Sequence, residues 1–138
     1  MKRFELITKS HKTKWDFPTV TSSDVVAEVA KSIWSKDIDI RESFYCLYLN
    51  RANNINGYAV IATGGYTAVN VDVRMICKIA LDTLAIGVIL VHNHPSGSLK
   101  PSTADIEMTK KIDKALKLFD IQVLDHVVIT RTGHTSIL

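Results

Sequence analysis

His92 and His94 stand two residues apart at the end of an apolar run, residues 86–91, and Pro95 follows them directly. Ser96, Gly97, Ser98, Leu99, Lys100 and Pro101 come next, and Ser102 and Asp105 close the stretch. In extended chain, side chains at i and i+2 point the same way, so the two imidazoles converge while Asn93 turns aside. The apolar run reads as a strand covered on both sides, and open α/β sheets place ligands beyond the carboxyl ends of their strands. Pro95, Gly97 and Pro101 let the chain fold back before a helix whose first turn brings Asp105 near the histidines. Two imidazoles and one carboxylate are a three-ligand set for catalytic zinc, with the fourth position left to water. Zinc lowers the pKa of that water to about 7, and such a site calls for a base to take the proton. The same triplet with open positions also describes a non-haem Fe(II) facial triad. A structural account stands beside these: Ser102 and Asp105 have the spacing of a capping pair, hydroxyl at N-cap and carboxylate at N3. The two accounts are compatible. His11, His126 and His134 read as ordinary surface or core histidines.

The elements that must hold this stretch follow from periodicity. Residues 21–35 read as a helix, with Val25, Val26, Val29, Ile33 and Trp34 on one stripe and Thr21 with Asp24 in the pattern of a capping box. Residues 41–50 form a strand apolar on both faces, hence central in a sheet. Asn53, Asn54, Asn56 and Gly57 make residues 51–57 a turn, residues 58–62 return as the partner strand, and Thr63-Gly64-Gly65-Tyr66 breaks it. Residues 72–84 read as a helix with Val73, Ile76, Cys77, Ala80 and Leu84 inward. After the histidine stretch, Ile106, Thr109, Ile112, Ala115, Leu116 and Phe119 define a helix whose Lys110, Lys111, Lys114 and Lys117 are solvated. Residues 123–130 are a strand and residues 131–134 a turn. Alternating strands and helices imply an α/β fold, a mixed sheet with helices packed on it.

The chain of 138 residues is sized for one domain with its own core. No apolar run approaches the roughly 20 residues that span a bilayer, and no apolar segment of signal-peptide type follows Met1-Lys2-Arg3. Cys46 and Cys77 read as reduced core residues of a cytoplasmic protein. The net charge is +3, and Lys2, Arg3, Lys9, Lys12 and Lys14 face only Glu5 near the start. Without a groove-reading motif or interleaved aromatics this arm reads as a solvated leader, and nucleic acid is a weakly supported partner. Residues 1–18 otherwise carry scattered apolar positions (Phe4, Leu6, Ile7, Trp15, Phe17), a leader or an edge strand.

The pattern resembles the JAMM (JAB1/MPN/Mov34) metalloprotease family, and within it the RadC-like branch. The family motif is His-x-His, seven residues of which the first is proline here, then Ser-x-x-Asp, preceded by a glutamate in an earlier strand. His92, His94, Pro95, Ser102 and Asp105 match it, and Glu42, opening the strand of residues 44–49, matches the upstream glutamate. The run His92 to Gly97 with Pro101-Ser102, residues 64–74, and Leu124-Asp125-His126 are similar to RadC-like proteins. The resemblance covers residues 20–138, leaving 1–19 as a leader. It implies a three-layer, cytidine-deaminase-like JAB/MPN fold, zinc on His92, His94 and Asp105, Glu42 as general base, and Ser102 as donor to the oxyanion. The implied reaction is zinc-dependent hydrolysis of a peptide, amide or isopeptide bond. The alternative is a non-catalytic metal-binding MPN module acting in DNA-repair-associated or protein-partner binding. Longer RadC proteins carry an N-terminal helix-hairpin-helix region, the usual warrant for a DNA connection. The roughly 20 residues before the domain leave no room for it. The motif names no substrate, whose selection falls to loops such as residues 51–57 and 63–70, and oligomeric state is not visible in it.

Overall fold

The computed structural model describes residues 1–5, 8–14, 16–65 and 69–138. Leu6, Ile7 and Trp15 of the expected leader, and Tyr66 of the break after the hairpin, lie outside them. A five-stranded mixed sheet runs in the order β2-β1-β3-β4-β5. Its strands are β1 (Ser43–Leu49), β2 (Ile55–Thr63), β3 (Gly87–Asn93), β4 (Gln122–Ile129) and β5 (His134–Ser136). β1 is antiparallel to both β2 and β3, β3 is parallel to β4, and β5 returns antiparallel along β4. Helix α1 (Ser23–Ile33) covers one face, and α2 (Val73–Asp82) and α3 (Thr103–Lys117) cover the other.

Each layer follows from its residues. β1 and β3 are buried along their whole length, as strands with helices on both faces must be. Alternate side chains divide between two cores. Tyr45, Leu47, Leu49, Ile89, Val91, Val127 and Ile129 pack on Val26, Val29, Ala30 and Ile33 of α1. Phe44, Cys46, Tyr48, Val88 and Leu90 pack on Ile76 and Ala80 of α2 and on Ile112 and Leu116 of α3. Complete burial of a side chain such as Leu47 or Leu90 is worth about 1.5–3 kcal/mol. The lysines of α3 point to solvent as their spacing requires.

Several boundaries differ from the sequence reading. The N-cap of α1 is Ser22, whose hydroxyl accepts from Val25 N at 3.4 Å, so Thr21 and Asp24 form no capping box. The Asp24 carboxylate instead accepts from His134 Nε2 at 2.9 Å. Leu84 is not an inward helix position: it follows α2 with φ 53° and is 81% exposed. β2 begins at Ile55, inside the expected turn, because Asn50 Oδ1 accepts from both Ala52 N and Asn54 N and closes the reversal early. Asn53 takes the positive φ there, at 59°. His134, the last residue of the expected turn, opens a further strand instead, β5, which runs to Ser136. Among the described residues no helix is long and apolar enough to cross a membrane.

Candidate metal centre

The antiparallel pairing of β1 with β3 explains why residues fifty positions apart meet. Phe44 pairs with His92, so the register carried two residues on sets Glu42, just before β1, level with His94. Glu42 and Phe44 share a face, as do His92 and His94, and both pairs look toward α3. The amino end of β1 and the carboxyl end of β3 therefore form one edge of the sheet. Glu42 is fixed there by two backbone bonds to the chain leaving β2: its N–H donates to Gly65 O at 3.2 Å and its carbonyl accepts from Gly64 N at 2.8 Å. Asp105 arrives from the first turn of α3, which Ser102 caps. Asp105 N donates to Ser102 Oγ at 3.0 Å, and Ser102 N donates to Asp105 Oδ2 at 2.7 Å. The capping pair and the convergence on the histidines thus coexist in one carboxylate.

His92 Nε2 lies 3.0 Å from His94 Nε2 and 3.2 Å from Asp105 Oδ1. His94 Nε2 is 3.1 Å from Asp105 Oδ2, and Glu42 Oε1 is 3.9 Å from His92 Nε2. One ligand atom from each of the four residues falls within 4.8 Å of the others. His94 Nδ1 meets Ser98 O at 2.8 Å. A carbonyl only accepts, so Nδ1 carries a proton; in the neutral ring Nε2 presents its lone pair to the cluster, and in the charged ring it donates to Asp105. Lone pairs and carboxylate oxygens facing one another at 3.0–3.2 Å repel unless a cation or a proton lies among them. Tetrahedral zinc, with bonds of about 2.0–2.2 Å, sets its donors about 3.3–3.5 Å apart. The three donors fit that requirement with a few tenths of an ångström of expansion, and the four side chains form a group that could hold a metal ion.

The protonation of the metal-free site follows from these contacts. Its hydrogen bond to Asp105 raises the His94 pKa against the effect of burial. Burial alone would push the Asp105 carboxyl up, but hydrogen bonds from His92 and His94 outweigh it and hold the carboxyl well below the usual carboxylate range. Glu42 is raised, chiefly by burial, against the pull of the two histidines. The cluster opens into a cavity of about 470 Å³, walled by Phe44, Val69, Val71 and Met108 with Lys100 and Ser102 among its polar lining. Ser102 is exposed on its rim, and among the described residues its hydroxyl serves as an acceptor, from Asp105 N.

Every residue that the motif singled out stands at this site: Glu42, His92, His94, Ser102 and Asp105. Three others were missed. His126, taken as an ordinary core histidine, is fully buried with Nε2 2.7 Å from His92 Nδ1. Burial and the neighbouring His92 lower its pKa to about 3. Thr109 Oγ1 lies 2.6 Å from His126 Nδ1 and donates to Asp105 O at 2.7 Å. Asn93 turns to the α1 face as expected, but there its side chain accepts from Ser43 N at 2.8 Å and donates to Ile38 O and Arg41 O at 2.7 and 2.9 Å. It clamps the chain on both sides of Glu42. Only an imidazole in the middle of an apolar strand hinted at the first of these. The β3–β4 register, which sets Leu90 beside His126, is invisible in the sequence. His11 is exposed and His134 pairs with Asp24, both outside the site.

The family model for the RadC-like JAB domain matches residues 20–138. The chain belongs to that family. Its mixed sheet between helical layers is the α/β JAB/MPN fold implied by the motif. The RadC-like domain is 45% identical over 95 residues to a UPF0758 protein of Flavobacterium johnsoniae, covering 69% of this chain and 42% of that protein. It is 42% identical over 119 residues to a UPF0758 protein of Finegoldia magna, covering 86% and 52%. A UPF0758 protein of Pseudomonas fluorescens is 43% identical over 88 residues, covering 64% and 39%. The chain thus spans about half the length, or less, of these relatives.

Proposed function

We propose that this RadC-like domain is a zinc-dependent hydrolase that cleaves an amide bond, in a peptide or an isopeptide. One observation carries the reading: His92 Nε2, His94 Nε2 and the Asp105 carboxylate converge, with Glu42 as a fourth, half-buried carboxylate beside them. His92, His94 and Asp105 would hold the ion. Zinc there would act as a Lewis acid and lower the pKa of water to about 7. Glu42 sits close enough to take a proton from the attacking water and pass it to the leaving amine. Burial of Glu42 favours its protonated form, which suits that second, acidic role. Ser102 Oγ, held on the rim by the capping bond, donates to the oxyanion of the tetrahedral intermediate. The apolar wall of Phe44, Val69, Val71 and Met108 excludes water from the scissile bond. The free thiols of Cys46 and Cys77 suit a reducing compartment, and the cytoplasm is the proposed location.

The test begins with metal analysis of protein purified without added metal. The expected result is near one equivalent of zinc per chain; no zinc, with none taken up on titration, overturns the reading. Iron at that stoichiometry would replace it with the facial-triad alternative. Glu42→Gln is then expected to keep its zinc and lose about 10²–10⁴-fold in hydrolysis of a peptide and isopeptide panel. Wild-type protein that holds zinc but cleaves no member of a broad panel favours the non-catalytic module instead.

A further inference from the structure

Thr109 lies one helical turn beyond Asp105 in α3, and its Oγ1 has two partners, Asp105 O at 2.7 Å and His126 Nδ1 at 2.6 Å. A hydroxyl has one proton. The carbonyl can only accept, so that proton goes to Asp105 O, and Oγ1 must accept from His126 Nδ1–H. His126 Nε2 then carries a lone pair and accepts from His92 Nδ1–H across 2.7 Å. In the neutral ring, the form that binds a metal, His92 is left with Nε2 unprotonated and aimed at His94 and Asp105. Thr109, His126 and His92 are 3%, 0% and 2% exposed, so the bonds between them are shielded from bulk water. The direction of every bond follows from the one carbonyl at its start.

We infer that Thr109 and His126 are positioning residues that lock His92 in the Nδ1–H tautomer and so present Nε2 to a metal. The inference rests on the metal reading of the site but concerns residues outside the ligand motif. It adds a coupling: the chain of bonds starts on the backbone of one ligand, Asp105, and ends on the ring of another, His92. In its neutral form His94 reaches the same tautomer by a shorter route, its bond to Ser98 O. The two histidines are therefore matched, one from the buried side and one from the loop. Outer partners of metal-bound histidines affect metal affinity about 10–100-fold.

Thr109→Val removes the hydroxyl at nearly constant shape and leaves every ligand in place. His126 Nδ1 loses its acceptor, so His126 is free to protonate at Nε2, donate to His92 Nδ1 and drive the proton of His92 to Nε2. Long-range ¹H–¹⁵N spectra of metal-free, histidine-labelled protein read the tautomer directly, and competition with a chromophoric chelator reads zinc affinity. The expected result is a pure Nδ1–H His92 in the wild type. Thr109→Val should show a mixed or inverted tautomer with zinc affinity weakened about 10-fold or more, and Thr109→Ser should restore both. A merely structural threonine would move neither, since valine packs well in an apolar setting. Thr109→Val with an unchanged tautomer and unchanged zinc affinity overturns the inference, as does an Nε2–H His92 in the wild type. Wild-type protein that takes up no zinc overturns the metal reading, and the tautomer of the metal-free chain still decides the role of Thr109.

Discussion

At the carboxyl end of β3, consecutive residues serve opposite faces of the sheet, and the two faces treat polarity in opposite ways. On the α1 face the Asn93 side chain is fully buried and satisfied, with its oxygen and both of its amide hydrogens used. On the α3 face the ring nitrogens of His92 and His94 and the Asp105 carboxylate converge on one another at 3.0–3.2 Å, a group that could hold a metal ion. Satisfied buried polar groups are the usual state of a folded chain; titratable groups that converge with shifted pKa values in a cleft make a candidate site. The difference separates scaffold from site within two residues of one strand. It also shows how they cooperate: Asn93 secures Arg41 and Ser43, the neighbours of Glu42, so the clamp on one face places the proposed base on the other.

Asn93→Ala is the severest way to break that comparison. It orphans the buried Ser43 N–H and the carbonyls of Ile38 and Arg41. Leaving such groups unpaired costs about 1–3 kcal/mol each, so a loss of about 3 kcal/mol or more is expected. Thermal or urea unfolding of the metal-free protein measures it. Zinc stoichiometry is expected to survive, since no ligand is touched, while hydrolysis falls because Glu42 loses its fixed backbone. A variant as stable as the wild type would show that the α1 face does not hold this edge of the sheet.

The next contrast is between two histidines on the same face. His94 has a raised pKa from its bond to Asp105, whereas His126 has one lowered to about 3 by burial and the nearby His92. A raised folded-state pKa gives stability that is present below about 6.5, the unfolded value, and is lost as pH rises through the folded one. A lowered one gives stability that is present above about 6.5 and is lost as pH falls toward the folded value. Metal-free protein is therefore expected to be most stable near pH 6.5. From there to pH 5, His126 alone is expected to remove about 2 kcal/mol. Unfolding in chelator across that range gives the slope, and His126→Gln, which cannot take up a proton, should flatten it. An equally steep slope in that variant would assign the acid sensitivity to other groups.

The convergence of the proposed ligands was legible because they are local. Two histidines at i, i+2 after a buried run, and a carboxylate in the next helical turn, are set by strand and helix periods alone. The three layers were legible for the same reason, since β1 and β3 read as continuous apolar runs. Glu42 was visible only through likeness to a family, because its place depends on a strand pairing across fifty residues. His126 and Thr109 depend on two pairings at once, the β3–β4 register and the packing of α3 on it, and no local pattern carries either. β5 was missed because three residues offer no period to read. The cap of α1 was misplaced because Thr21 and Ser22 are adjacent hydroxyls, and only the backbone of Ser22, at φ −160° and ψ 167°, shows which one turns into the helix.

The two serine caps give the finest comparison, one on each face. Ser22 begins α1 with a long bond to Val25 N, 3.4 Å, and Ser102 begins α3 with a 3.0 Å bond to Asp105 N. Ser22→Ala is expected to cost about 0.5 kcal/mol and Ser102→Ala about 1 kcal/mol, within the range for such caps. On stability alone the pair would look alike. The backbone N–H of Ser102, which holds Asp105 Oδ2 at 2.7 Å, survives the change to alanine, so Ser102→Ala is expected to keep its zinc. Its hydrolysis should nonetheless fall about 10²–10³-fold, as it does when an oxyanion donor is removed, whereas Ser22→Ala should cleave like the wild type. Zinc content, unfolding and turnover measured on both variants separate a cap from a cap that also faces substrate. Equal turnover in the two would make Ser102 a helix start and nothing more.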